Sequence, residues 1–245
     1  MVGYKSKWFA VTAIVATATV ALASCSSSGS PGSDKTGTSS ANSGKTAPNP
    51  GASTPKSGGS LVVGEYSGVN SLDPMQGTGS VTIGGNETLA LYGTLMRWDP
   101  EKLEAVPYMA ESLSHNDDNT QWTVKLRPDM VFSDGTPYNA AAVVKNWQRE
   151  KKSFFSIATS FALWESMKAT DDLTVEVTLR QPNSDFPYGL ATNIGMIAAP
   201  SYTDKVDAGD KTAPAVGAGP FMVKDFKPGT SVTLVPNPKY AFDKP

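Results

Sequence analysis

One cysteine and one histidine are all that 245 residues contain of the side chains most used as soft metal ligands and nucleophile partners. A lone cysteine excludes a disulfide within the chain, so folding must rest on an ordinary apolar core. A lone histidine excludes the usual zinc ligand sets. His115 stands in the polar stretch Ser114-His115-Asn116-Asp117 and reads as a solvated loop residue. No serine sits in a Gly-x-Ser-x-Gly elbow, so no hydrolase nucleophile is visible. Gly77-Thr78-Gly79 lacks the third glycine of a dinucleotide fingerprint. These absences argue against an enzyme, and no catalytic residue, metal or cofactor is expected. Charge of one sign is also missing: 21 basic and 23 acidic residues leave a net charge of −2. No basic stripe interleaved with aromatics occurs, so nucleic acid is not an expected partner. Only Trp8–Leu22 forms a long apolar run. It is shorter than the roughly twenty residues that span a bilayer as a helix.

What is present at the N-terminus fits export. Lys5 and Lys7 precede the apolar run, as in a signal peptide. The tetrapeptide Leu22-Ala23-Ser24-Cys25 then resembles the bacterial lipobox. That resemblance implies cleavage before Cys25 and acylation of its sulfur and of the new N-terminus. Two or more acyl chains matter, because a single chain gives only marginal membrane binding. An ordinary signal peptide cut after Ala21-Leu22-Ala23 is the alternative; the position of the single cysteine favours the lipobox. Residues 1–24 are therefore expected as a lipoprotein signal peptide. Residues 25–59 read as the lipidated cysteine and a disordered tether, since Ser26–Gly59 is made almost entirely of small and polar residues. Such a chain has a root-mean-square span of about 30 Å. Everything after Cys25 is expected outside the cytoplasmic membrane, anchored to its outer face.

Residues 60–245 carry the apolar periodicity of a folded domain. Ser60-Leu-Val-Val-Gly-Glu-Tyr66 reads as a buried strand. Asn86–Leu95 spaces Leu89, Tyr92 and Leu95 at helical intervals, with Asn86 as its cap. Trp122, Val124 and Leu126 alternate as in a half-buried strand, and so do Val175, Val177 and Leu179 after the Asp171-Asp172 turn. Ser133–Pro137 is a turn before a helix capped by Asn139, with Val143, Val144 and Trp147 facing inward. Phe154–Trp164 is an aromatic helical or loop segment. Phe221–Phe226 and Ser231–Val235 flank Pro228-Gly229, a hairpin signal. The expected class is α/β with mixed sheets.

Several of these pieces, taken in order, resemble a known family. Met109-Ala-Glu-Ser112, Asp117-Asp118, Trp122–Arg127, Val131-Phe-Ser-Asp-Gly-Thr-Pro137 and Ala142-Val-Val144 are similar to the signature of the extracellular solute-binding proteins, family 5. Ser71-Leu-Asp-Pro74, Tyr92-Gly-Thr-Leu95, Gly217-Ala-Gly-Pro-Phe221 and Pro236-Asn-Pro-Lys-Tyr240 agree with it as well. Asn139-Ala-Ala-Ala142 departs from the acidic pair that members often carry after the turn.

The resemblance implies the substrate-binding component of an ABC importer, with a periplasmic-binding-protein-like (type II) fold of two lobes around a cleft. It implies a permease and ATPase complex as partner and a small peptide or similar solute as ligand. Family members continue well past the Asn-Pro motif to build the second lobe and then return to finish the first, so by resemblance this sequence holds most of the first lobe and none of the second. A surface lipoprotein or remnant without independent ligand binding is the alternative. Members bind largely through backbone groups, and the loop after the first strand faces the cleft. Here that loop is Tyr66, Ser67, Gly68, Val69 and Asn70. Phe154 and Phe155 form a second expected contact, with core packing as the competing reading. The Gly217, Ala218 and Gly219 turn is a third.

Overall fold

The computed structural model describes residues 58–65, 67–76 and 85–242. The expected signal peptide, the lipidated Cys25 and the tether up to residue 57 lie outside the described residues, and so does Tyr66.

Helix α1 (Gly85–Tyr92) is followed by a hairpin of β1 (Met96–Asp99) and β2 (Glu104–Pro107). The central sheet is then built from β3 (Ala110–His115), β4 (Gln121–Leu126), β5 (Trp164–Asp171) and β6 (Thr174–Leu179), in the order β3-β4-β6-β5. Every described strand pair is antiparallel. Alternation explains the two central strands. Trp122, Val124 and Leu126 of β4 are buried, and Trp122 and Val124 stand opposite Val177 and Val175 of β6. Cross-strand apolar pairs on one face set this register, because a one-residue slip would turn the whole set to solvent.

The β4–β5 connection carries α2 (Ala140–Lys151). Asn139 caps it: its Oδ1 accepts from the Ala142 amide at 3.0 Å. Ala142, Val143, Asn146, Trp147 and Glu150 repeat at three- and four-residue spacing and form the buried stripe. Trp147 is the anchor. It is fully buried, meets Trp164 edge-on at 4.9 Å and donates from Nε1 to the Ile194 carbonyl at 2.8 Å. Short helix α3 (Phe186–Gly189) closes the same core, with Phe186 stacked on Trp122 at 4.9 Å.

A smaller core lies beside it, made by α1, α4 (Pro200–Asp207) and the hairpin β7 (Phe221–Lys227)–β8 (Ser231–Pro236). It buries Val69, Leu72, Leu91, Tyr92, Met196, Ala198 and Tyr202. Asn146 stitches the two cores together. Its Nδ2 donates to the Ala198 carbonyl at 2.8 Å and its Oδ1 accepts from the Ala198 amide at 3.1 Å.

Three expectations are corrected. Leu61, Val62 and Val63 are 87%, 93% and 62% exposed and belong to no strand among the described residues. An apolar β-branched run states what a strand would bury, while a ladder also needs a neighbouring edge, and none of the described residues supplies one. Asn86 lies inside α1, not at its cap, and its side chain donates to Glu65 at 3.0 Å. The buried face of α1 is Thr88, Leu91 and Tyr92; Leu89 is exposed, and Gly93 at φ +62° ends the helix before Leu95. His115 is the last residue of β3 rather than a loop residue, and its exposed ring lies 4.7 Å from that of Trp122.

Candidate functional site

The loop expected to face a ligand sits on the smaller core. Ser67, Gly68 and Asn70 keep solvent-facing surface, while Val69 turns inward and is buried. Gly68 lies against the backbone of Gly229 in the β7–β8 turn, so closely that a Cβ at position 68 would overlap the Gly229 carbonyl. The Gly229 amide donates to the Val69 carbonyl at 2.7 Å. Gly229 itself has φ +70°, the left-handed conformation that the Pro228-Gly229 turn requires.

The next residues pin the loop from behind. Ser71 Oγ accepts from the Asp73 amide at 3.1 Å, and Asp73 Oδ1 accepts from the Met75 amide at 3.0 Å, opening the 3₁₀ turn Pro74–Gln76. The Tyr92 hydroxyl donates to the Leu72 carbonyl at 2.8 Å. Asp73, 1% exposed, is held by both terminal nitrogens of Arg149: Nη1 to Oδ1 at 2.8 Å and Nη2 to Oδ2 at 2.6 Å. Arg149 Nε donates onward to Asp207 at 2.7 Å. One guanidinium thus ties the loop to α2 and α4.

The electrostatics follow from burial. Burial opposes the charge on Arg149, but hydrogen bonds and attraction from Asp73, then Asp207, outweigh it and hold the guanidinium charged. The Tyr92 hydroxyl is pushed well up, first by burial and then by Tyr202 and Asp73. Burial and then Asp73 push Tyr202 up as well. Both phenols therefore act as neutral hydrogen-bonding groups.

Gly217, Ala218 and Gly219 are buried. The Gly217 carbonyl accepts from the Ser133 amide at 2.9 Å, the Gly219 amide donates to the Leu91 carbonyl at 2.8 Å, and the Gly219 carbonyl accepts from Asn237 Nδ2 at 2.8 Å. A Cβ on either glycine would strike the backbone at the C-terminal end of α1. Their lack of side chains lets this segment lie against Leu91 and the ring of Tyr92, the residue whose hydroxyl bonds the Leu72 carbonyl. Ser67–Asn70 and Gly217–Gly219 therefore share one support.

Phe154 and Phe155 stand elsewhere. They precede the 3₁₀ helix Ser156–Phe161, whose Ile157 and Phe161 pack in the larger core. Phe154 is wholly exposed and Phe155 is 43% exposed. Among the described residues, no group of three His, Cys, Asp or Glu side chains is placed to hold a metal ion.

Asp73 and Arg149 escaped the sequence reading. Ser71–Pro74 reads as a loop, and no motif in the sequence singles out Arg149, which the structure places in the last turn of α2. The available signal was that α2 carries Asn146 and Glu150 on the same stripe as Val143 and Trp147, where apolar residues would be expected.

A family model described as Bacterial extracellular solute-binding proteins, family 5 Middle, matches residues 104–245. The "Probable D,D-dipeptide-binding periplasmic protein DdpA" of Escherichia coli (strain K12) is 32% identical over 196 residues, covering 76% of this chain and 37% of that protein. The glutathione-binding protein GsiB of the same strain is 33% identical over 165 residues, covering 66% and 31%. Among solved structures, the substrate-binding domain of an oligopeptide ABC transporter from Bacillus anthracis str. Ames superposes with a TM-score of 0.63 at 25% identity, covering 72% and 37%. OppA of Burkholderia pseudomallei superposes with a TM-score of 0.62 at 26% identity, covering 71% and 37%. The chain thus spans about a third of the length of these relatives.

Proposed function

The chain belongs to the bacterial extracellular solute-binding proteins, family 5, and from that premise we propose that it captures peptides or similar small solutes outside the cytoplasmic membrane and delivers them to the permease and ATPase of an ABC importer. Its fold is that of a type II periplasmic-binding-protein lobe. In this proposal residues 1–24 are a signal peptide, Cys25 carries the lipid, residues 25–59 are the tether and residues 60–245 are the first lobe. The role is binding, not catalysis.

The observation that carries the reading is the loop Ser67–Asn70. Its solvent-facing residues are mounted on a rigid frame formed by the Gly229 turn, Tyr92 and the Asp73–Arg149 pair. Main-chain capture of an extended ligand needs such a fixed edge, because ordering a mobile loop would subtract from affinity. Gly217–Gly219 would contribute through the shared support, and Phe154 and Phe155 as a separate exposed contact.

Calorimetric unfolding of the full chain with di- and tripeptide mixtures, glutathione and nickel tests this. A ligand at a hundredfold excess over its dissociation constant adds about 2.7 kcal/mol, equivalent to about 5–10 °C in Tm for a chain of this size. We expect a rise of that order with at least one peptide class. No rise with any of the three would favour the alternative, a surface lipoprotein without independent ligand binding.

A further inference from the structure

Glu150 is the one acidic side chain on the buried stripe of α2; it is 1% exposed, and its Oε2 has no hydrogen-bond partner. It follows Arg149 in sequence and lies close enough to Asp73 to feel its charge. Yet Arg149 gives it no hydrogen bond: Nη1 and Nη2 go to Asp73 and Nε goes to Asp207. Lys151, on the other side, donates to the Trp164 carbonyl at 2.6 Å. A carboxylate at Glu150 would therefore place a second buried negative charge beside Asp73, and it could gain a cationic partner only by taking Arg149 away from Asp73.

We propose that Glu150 and the Asp73–Arg149 pair form a pH-sensitive latch on the Ser71–Gln76 segment. With Glu150 protonated, Arg149 is committed to Asp73 and Asp207 and holds the segment onto α2. With Glu150 ionised, the two carboxylates compete for one guanidinium and the segment loosens.

The charged groups acting on Glu150 are Asp73 from the loop and Arg149 from its own helix; Tyr92 of α1, with Tyr202 and Asp207 of α4, completes the cluster. Burial first, then Asp73, pushes the Glu150 carboxyl well above the ordinary carboxylate range, and Arg149 offsets only part of this. The sign is fixed by linkage. An acid with a raised folded pKa holds a proton that the unfolded chain releases, so its contribution is complete below the ordinary carboxylate pKa and is lost as pH rises towards the folded value. The tyrosines, also pushed up, stay neutral meanwhile. The latch does not depend on what the Ser67–Asn70 loop binds.

The test is residue-resolved amide exchange on the full chain and on Glu150→Gln, from about pH 5 to about pH 9, after correction for intrinsic rates. The probes are the Met75 and Gln76 amides, which donate to Asp73; the same amides in Glu150→Gln are the reference for the pH slope, and Val124 and Val177 in the central sheet report global unfolding. In the unmutated chain, Met75 and Gln76 should be less protected than the sheet amides, and their protection should fall as pH rises by up to about tenfold per pH unit, the limit for one linked proton. In Glu150→Gln that fall should vanish. Loop protection equal to that of the sheet at every pH, or the same fall in Glu150→Gln, would overturn the latch. Should Glu150→Gln not fold, the carboxyl carbon shift of Glu150 in the unmutated chain decides: a protonated position at neutral pH supports the latch, and an ionised position refutes it.

Discussion

Arg149→Ala is expected to cost about 3–5 kcal/mol of stability, the range for removing one partner of a buried ion pair. In Tm this is about 6–20 °C for a chain of this size. The reason lies in what stays behind. Asp73 is 1% exposed and would keep only the Met75 amide as a bonded donor among its described contacts. Its carboxylate is then left buried without its cationic partner, or dragged towards water with the whole Ser71–Gln76 segment. Asp207, half-exposed, loses far less. Urea unfolding of three variants separates the causes. Arg149→Ala should be the worst, and Arg149→Lys should lie between it and the parent, because a point charge cannot reproduce the two-pronged grip. The double variant Asp73→Leu with Arg149→Met should recover more than half of the loss, since paired apolar replacement leaves no stranded charge. A loss under about 1 kcal/mol for Arg149→Ala would place the pair with exposed ion pairs and remove the anchor assigned to the loop.

Trp147→Ala is expected to cost a similar amount, about 3–5 kcal/mol. Here the cause is packing. Trp147 has no exposed surface and sits between the four-stranded sheet, through Trp164, and the segment around Ile194. Truncation opens a cavity in the larger core that rigid neighbours cannot fill. Trp147→Phe isolates the polar part. It keeps most of the apolar volume but leaves the buried Ile194 carbonyl without its donor, worth about 1–3 kcal/mol. Thermal unfolding should rank the parent above Trp147→Phe and Trp147→Phe above Trp147→Ala. Equal losses for the two variants would mean the hydrogen bond, and not the volume, is what matters at this position.

These two anchors also mark how far the sequence could be read. Trp147 was legible because its signals are local: a cap at Asn139, helical spacing with Val143, and a tryptophan on the apolar face. The alternation in β4 and β6 and the Pro228-Gly229 turn were legible for the same reason. Asp73 and Arg149 were not, since they are 76 positions apart in the chain and neither has a local pattern that names the other. Leu61–Val63 misled in the opposite direction. Their composition is that of a buried strand, but burial depends on a partner edge that sequence periodicity cannot supply. Gly217 and Gly219 read as a ligand-facing turn; that they make room for α1 depends on a contact with Leu91 that lies far away in the chain.

The most direct test of the central claim is to map backbone amide shifts of the full chain during titration with a mixture of tripeptides. The account predicts that Ser67, Gly68 and Asn70 move together and saturate together, with smaller changes at Leu72 and Tyr92 behind them. Shifts confined to other surfaces, or none at concentrations that stabilise the protein, would contradict the assignment of this loop as the ligand-facing edge.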